Sequence, residues 1–243
     1  MEECATMEEC ATMEESVPAG GHGAVAAPLR RRLDAVSGCA MKLVADNLTC
    51  ERGGRVVFSG LGLCLEAGQF LLLKGPNGSG KTSLLRLIAG FAEPAGGTLR
   101  LEGGHRDLTL GQHCHLVQHQ DAVKSALTVE ENLAFWAGFL GGGDIEAALA
   151  AFALEHLRAT PAAFLSAGQR RRLALSRLAL VARPLWLLDE PSVGLDTASV
   201  ERLKSLISGQ VAHGGMVIAS THVDIGVEAA AEIDLTDLAE ATA

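Results

Sequence analysis

The alternation of apolar and polar residues changes character at Met41. From there the chain reads as short strand-like runs at 42–44, 55–58 and 63–65, separated by polar or glycine-bearing text. Residues 70–73 are apolar without alternation, which predicts a strand covered on both faces. A helix is predicted over 84–89, stopped by Gly90, with Pro94 and Gly96-Gly97 forming the next turn. Helical text runs from 128 to 140, ends at Gly141-Gly142-Gly143, and restarts over 145–157 with Asp144 as its N-cap. Two further buried strands are predicted at 185–188 and 216–219.

Residues 1–40 have no such rhythm. Met-Glu-Glu-Cys-Ala-Thr occurs twice and is followed by Met-Glu-Glu-Ser, then by Pro18, Gly20, Gly21, Gly23 and Pro28. This leader has neither the basic start and apolar middle of a signal peptide nor the acid-poor text of a transit peptide. It reads as an unpacked or non-native extension, with the working polypeptide starting at Met41.

With 243 residues and 48% hydrophobic content the chain can bury a substantial core. Its apolar runs fall short of the roughly 18 to 20 residues a membrane helix needs, so work at a membrane requires a separate polypeptide. A net charge of −9 opposes nucleic-acid binding, which depends on basic side chains displacing counterions. The clusters Arg30–Arg32 and Arg170–Arg172 are read as solvated or structural. Six scattered cysteines without a Cys-x-x-Cys pair fit a reducing compartment. His113, Cys114, His115 and His119 could be drawn as a metal or haem site. The stretch reads as a strand, however, with His113 and His115 on one face and Cys114 on the other, which argues against it.

The chemistry begins at Gly75-Pro76-Asn77-Gly78-Ser79-Gly80-Lys81-Thr82, a G-x-x-x-x-G-K-[ST] segment lying between a predicted strand and helix. Its glycines allow backbone amides to face phosphate oxygens, and the helix start adds its dipole. Lys81 is expected on the β- and γ-phosphates of ATP and Thr82 on Mg²⁺. Asp189 and Glu190 follow the apolar strand at 185–188, at the carboxyl end where open α/β sheets bind ligands. Asp189 is therefore assigned to the Mg²⁺ shell and Glu190 to the attacking water.

Between these two motifs stands Leu165-Ser166-Ala167-Gly168-Gln169. The ordered set resembles the ATPase domain of ATP-binding cassette (ABC) proteins, from Met41 onward. That resemblance implies an α/β P-loop NTPase fold with a mixed sheet core, an antiparallel β subdomain, and a helical subdomain inserted at about 121–168. It also implies a homodimer that sandwiches ATP, with Ser166, Gly168 and the helix from Gln169 facing the nucleotide of the opposite subunit. By the same resemblance Gln120, with Gln118 as competitor, touches Mg²⁺ and senses the γ-phosphate; Asp196 lies in the interface-crossing loop; and His222 is the switch histidine. Ala167 replaces the commoner glycine. The expected adenine-stacking aromatic is missing, and Arg52 stands near its position.

Local phrases narrow the resemblance: Cys50-Glu51-Arg52, Glu131-Asn132-Leu133-Ala134-Phe135-Trp136, and Pro184-Leu185-Trp186 running to Pro191. They are similar to the ATP-binding subunits of bacterial cytochrome c biogenesis (haem) exporters. The implied protein is an ATPase peripheral to the cytoplasmic face of the bacterial inner membrane, bound to a separate permease and touching haem only indirectly. An ATPase subunit for another cargo, or a soluble ABC ATPase in translation or repair, remains as an alternative.

Overall fold

Burial alternates with a period of two along the first strands, giving one apolar and one wet face. The structure, a computed structural model, describes residues 41–221 and 225–236. Strand β1 (Lys42–Arg52) pairs antiparallel with β2 (Arg55–Glu66) on one side and β4 (Gly96–Glu102) on the other. Gly53 and Gly54, at φ 58° and 77°, make the hairpin turn between β1 and β2. The runs read separately at 55–58 and 63–65 are one strand. Gly60, at φ 73°, sits where the register with β1 shifts, so the chain bends without breaking its pairing. Gly96 and Gly97, read as a turn, open β4 instead. A Cβ on Gly97 would collide with the Asn47 carbonyl, so glycine is needed for the close approach of β1 and β4.

The second sheet is parallel, in the order β5-β6-β7-β3-β8. Its strands are β3 (Phe70–Lys74), β5 (Cys114–Val117), β6 (Leu185–Asp189), β7 (Met216–Ser220) and β8 (Ala231–Asp234). Every residue of β6 and β7 is buried, as the unalternating runs require. Antiparallel and parallel sheets together make the β-structure mixed.

Side chains of the parallel sheet divide between two cores. Leu185, Leu187, Met216 and Ile218 join Leu43, Leu65 and Phe58 of the antiparallel sheet and Leu84 of helix α1 (Lys81–Ile88). Trp186, Leu188, Val217 and Ala219 face the other core. That core is completed by helices α2 (Val129–Leu140), α3 (Ile145–Ala151), α4 (Ala167–Leu180) and α5 (Thr197–Ala212). The segment between β5 and α4 holds α2, α3 and 3-10 turns at Glu155–Leu157 and Ala162–Phe164.

Local signals explain the helix ends. Thr128 and Glu131 form a capping box at the start of α2, and Gly141 closes it at φ 87°. Asp144 accepts the Ala147 amide at the start of α3. Helix α3 stops at Ala151, short of the expected 157. Phe152 leaves helical geometry to become fully buried, and Ala153 turns at φ 52°. Core packing ends this helix where the periodicity alone would extend it.

Candidate active site

The phosphate loop occupies the turn between β3 and α1. Gly75, Gly78 and Gly80 have φ of 127°, 90° and 102°, values that disfavour side chains. A Cβ on Gly75 would lie 2.6 Å from Ser79 Oγ, and one on Gly80 would lie 2.7 Å from Val57 Cγ1. Helix α1 begins without a side-chain cap or an acidic residue in its first turn, so its amides are left for an anion. Lys81 is buried, with Nζ donating to the carbonyls of Gly75 (2.6 Å) and Pro76 (3.0 Å).

Opposite the loop, Asp189 ends β6 almost fully buried. Thr82 Oγ1 donates to its Oδ2 at 2.7 Å and Ser220 Oγ to its Oδ1 at 2.6 Å. Glu190 follows at φ 47°, a left-handed conformation unusual for a bulky residue. Its amide donates to Ser220 O (2.9 Å) and Oγ (3.3 Å), while its carbonyl accepts from Arg171 Nη2 at 2.8 Å. A cavity of about 500 Å³ joins these groups, lined by residues including Arg52, Val57, Asn77, Lys81, Thr82, His119, Asp189 and Glu190.

These residues fit a magnesium nucleotide. Ser79 Oγ is buried with no hydrogen-bond partner among the described residues, inside the glycine cradle. Thr82 and Asp189 place a hydroxyl and a carboxylate together, oxygen donors suited to a hard divalent cation.

The Leu165–Gln169 segment lies apart from this cavity, at the start of α4. Ser166 and Gln169 form a reciprocal capping box: Ser166 Oγ accepts from Gln169 N (3.2 Å), and Gln169 Oε1 accepts from Ser166 N (2.8 Å). The Gln169 side chain is thus engaged by its own helix. Gly168 is held closely, since a Cβ there would be 3.1 Å from Gly194 O. Asp196 caps α5 by accepting Ser199 N at 2.8 Å, and the Ser199 hydroxyl together with that amide holds its carboxyl below the usual range.

Gln118 and Gln120 follow the end of β5. His119 lines the nucleotide cavity, whereas Gln118 and Gln120 line the neighbouring groove. His222 lies outside the described residues.

Residues 58–193 match the ABC transporter family. The chain belongs to that family. It is 52% identical over 190 residues to the cytochrome c biogenesis ATP-binding export protein of Bradyrhizobium diazoefficiens, covering 77% of this chain and 95% of that protein. It is 48% identical over 206 residues to the protein so named from Paramagnetospirillum magneticum, covering 81% and 95%. Among solved structures, it is similar to an ATP-binding subunit of an ABC transporter (TM-score 0.68, 25% identity, 74% of this chain and 79% of that one). A dimeric, post-hydrolysis ATP-binding cassette bound to ADP and Pi is also similar (TM-score 0.64, 25% identity, 76% and 89%). The chain is therefore an ABC ATPase.

Beside the nucleotide site this ABC ATPase carries a second, larger groove of about 840 Å³, lined by Phe91, Trp136, Phe139, Gln120, Arg177 and Arg183 among others. No Asp or Glu among the described residues lines it. The Arg177 guanidinium lies 4.2 Å from the Trp136 ring centre, and burial lowers its pKa to about 10, so it stays charged at neutral pH. His115 and Cys114 contribute to the wall, but His115 Nε2 is bonded to Val181 O (2.7 Å) and Cys114 Sγ to Leu110 O (3.0 Å). His113 turns away to Thr109 O and His105 N. No metal-holding cluster occurs among the described residues.

Sequence reasoning missed Ser220 and His119 as parts of the nucleotide site. Ser220 ends an apolar strand and carried no motif signal. Arg171, read as solvated or structural, is buried against the loop behind Glu190.

Proposed function

We propose that this ABC ATPase is the energy-coupling subunit of a bacterial exporter acting in c-type cytochrome biogenesis. Relatives that bear that name, matched over about 95% of their length, support this reading. The juxtaposition of Thr82, Asp189 and Glu190 opposite the glycine cradle carries the reaction. Thr82 and Asp189 would hold Mg²⁺, which supplies charge neutralisation at the β- and γ-phosphate oxygens. On nucleotide binding Lys81 exchanges its two carbonyl partners for phosphate oxygens. Glu190 orients and deprotonates the attacking water. The amide-rich start of α4, with Ser166 and Gly168, stabilises the γ-phosphate held by the other subunit of a homodimer.

Coupling uses the groove that borders Gln120. Its exposed Phe139 and Phe91, 74% and 68% accessible, suit an apolar helix of an integral membrane partner. Arg177 and Arg183 suit a carboxylate on that helix. No described helix is long and apolar enough to cross a membrane. In this reading the permease is a separate chain and the subunit is peripheral to the cytoplasmic face, which the similarity to cytochrome c biogenesis ATP-binding export proteins supports.

Glu190→Gln should keep ATP affinity, accumulate as a closed dimer, and lose about 10² to 10⁴ in hydrolysis rate, the usual contribution of a general base. Near-normal turnover would sink the assignment. The cargo pathway is tested by complementing a strain that lacks its own exporter ATPase and measuring covalent c-type cytochrome. Failure to restore it in cells where the ATPase is expressed and active would favour another cargo.

A further inference from the structure

Arg171 lies on α4, five residues beyond the Ser166 cap, and is only 4% exposed. Its guanidinium reaches two loops that come from different parts of the chain. On the β5 side, Nη1 donates to Gln118 O at 2.7 Å and Asp121 Oδ1 at 3.0 Å. On the β6 side, Nη2 donates to Glu190 O at 2.8 Å and Asp189 O at 3.3 Å, and Nε donates to Pro191 O at 3.4 Å. Its sequence neighbours do otherwise: Arg170 bonds Leu165 O and Arg172 bonds Phe152 O.

The geometry points to Arg171 as a positioning residue for ATP hydrolysis, a single planar group that ties the Glu190 backbone and the Gln118–Asp121 loop to the helix bearing Ser166 and Gly168. The inference rests on the reading of Glu190 as the water-orienting group. Glu190 needs such a hold because its left-handed backbone is costly unless fixed from outside. Its amide is fixed by Ser220 and its carbonyl by Arg171. The fork geometry matters as well as the charge. A lysine ammonium is a point donor and cannot span acceptors on both loops. In the proposed homodimer α4 begins at the segment that meets the partner subunit's nucleotide, so seating that helix would set both loops of its own subunit in register.

The test uses the full chain carrying Arg171→Lys or Asp121→Asn, each also combined with Glu190→Gln. Thermal unfolding, ATP affinity and single-turnover hydrolysis are measured for all. Arg171→Lys should lower the hydrolysis rate by about 10- to 100-fold with ATP affinity within about twofold, the scale of a misplaced reacting group. Asp121→Asn should lower it less, because the bonds to the Glu190 side remain. In the Glu190→Gln background neither change should lower the residual rate further, since residues acting through one another are not additive. An unchanged rate in folded Arg171→Lys would overturn the inference. So would an equal fractional loss in both backgrounds, the mark of a purely structural role. If Arg171→Lys does not fold, an unchanged rate in Asp121→Asn overturns it. High activity in Glu190→Gln alone would instead remove the underlying reading, whatever the arginine variant does.

Discussion

His115 is the buried titratable side chain whose environment most directly predicts a pH response. Burial, with Arg177 and Arg183 adding to it, lowers its pKa from 6.5 to about 4, despite the bond to Val181 O. The folded protein therefore holds the ring neutral, while the unfolded chain takes up a proton near pH 6.5. The contribution to stability is fully present above about pH 6.5 and is lost as pH falls toward 4, at most about 3 kcal/mol. The melting temperature should fall across that window, and His115→Gln should flatten the fall. An identical pH profile in the variant would exclude His115 as its source. At the same scale Gly80 illustrates how tightly the nucleotide site is specified. The space a side chain would occupy is already filled by Val57 and Phe58.

Among the elements, α2 divides its apolar residues between two tasks. Leu133 is fully buried, Trp136 packs over Arg177, and Phe139 stands 74% exposed at the groove. Phe139→Ala should thus leave folding and ATP binding unchanged while weakening attachment to the membrane partner by about 1 to 2 kcal/mol if that ring anchors the contact. Co-purification with the permease at native abundance would measure it, and undiminished attachment would move the docking site elsewhere. The periodicity of residues 128–140 showed the helix, but not which residues face inward, because nearly every face carries an apolar one. The phosphate loop, the strand before Asp189 and the Ser166 cap were legible because each depends on local backbone chemistry. The roles of His119, Ser220 and Arg171 were not. They depend on which strand ends the parallel sheet brings side by side, and β5, β6 and β7 are far apart in the chain.

Over the whole molecule, the strand order has a consequence for assembly on the ribosome. Strand β3, which leads into the phosphate loop, is flanked on both sides by the last two strands of the described chain, β7 and β8. Such long-range parallel pairing carries a high loop-closure cost and forms late. Emerging amino-terminal first, the chain exposes its phosphate-loop sequence long before the neighbours that shape it exist. A fragment ending at residue 212 still contains Lys81, Thr82, Asp189 and Glu190, yet should show no measurable ATP binding by equilibrium titration. Normal affinity in that fragment would mean that the amino-terminal part shapes the loop unaided. Nucleotide binding is otherwise delayed until β7 and β8 have emerged, so products that stop before them would be silent and unable to enter the dimer as competitors of subunits that contain both strands.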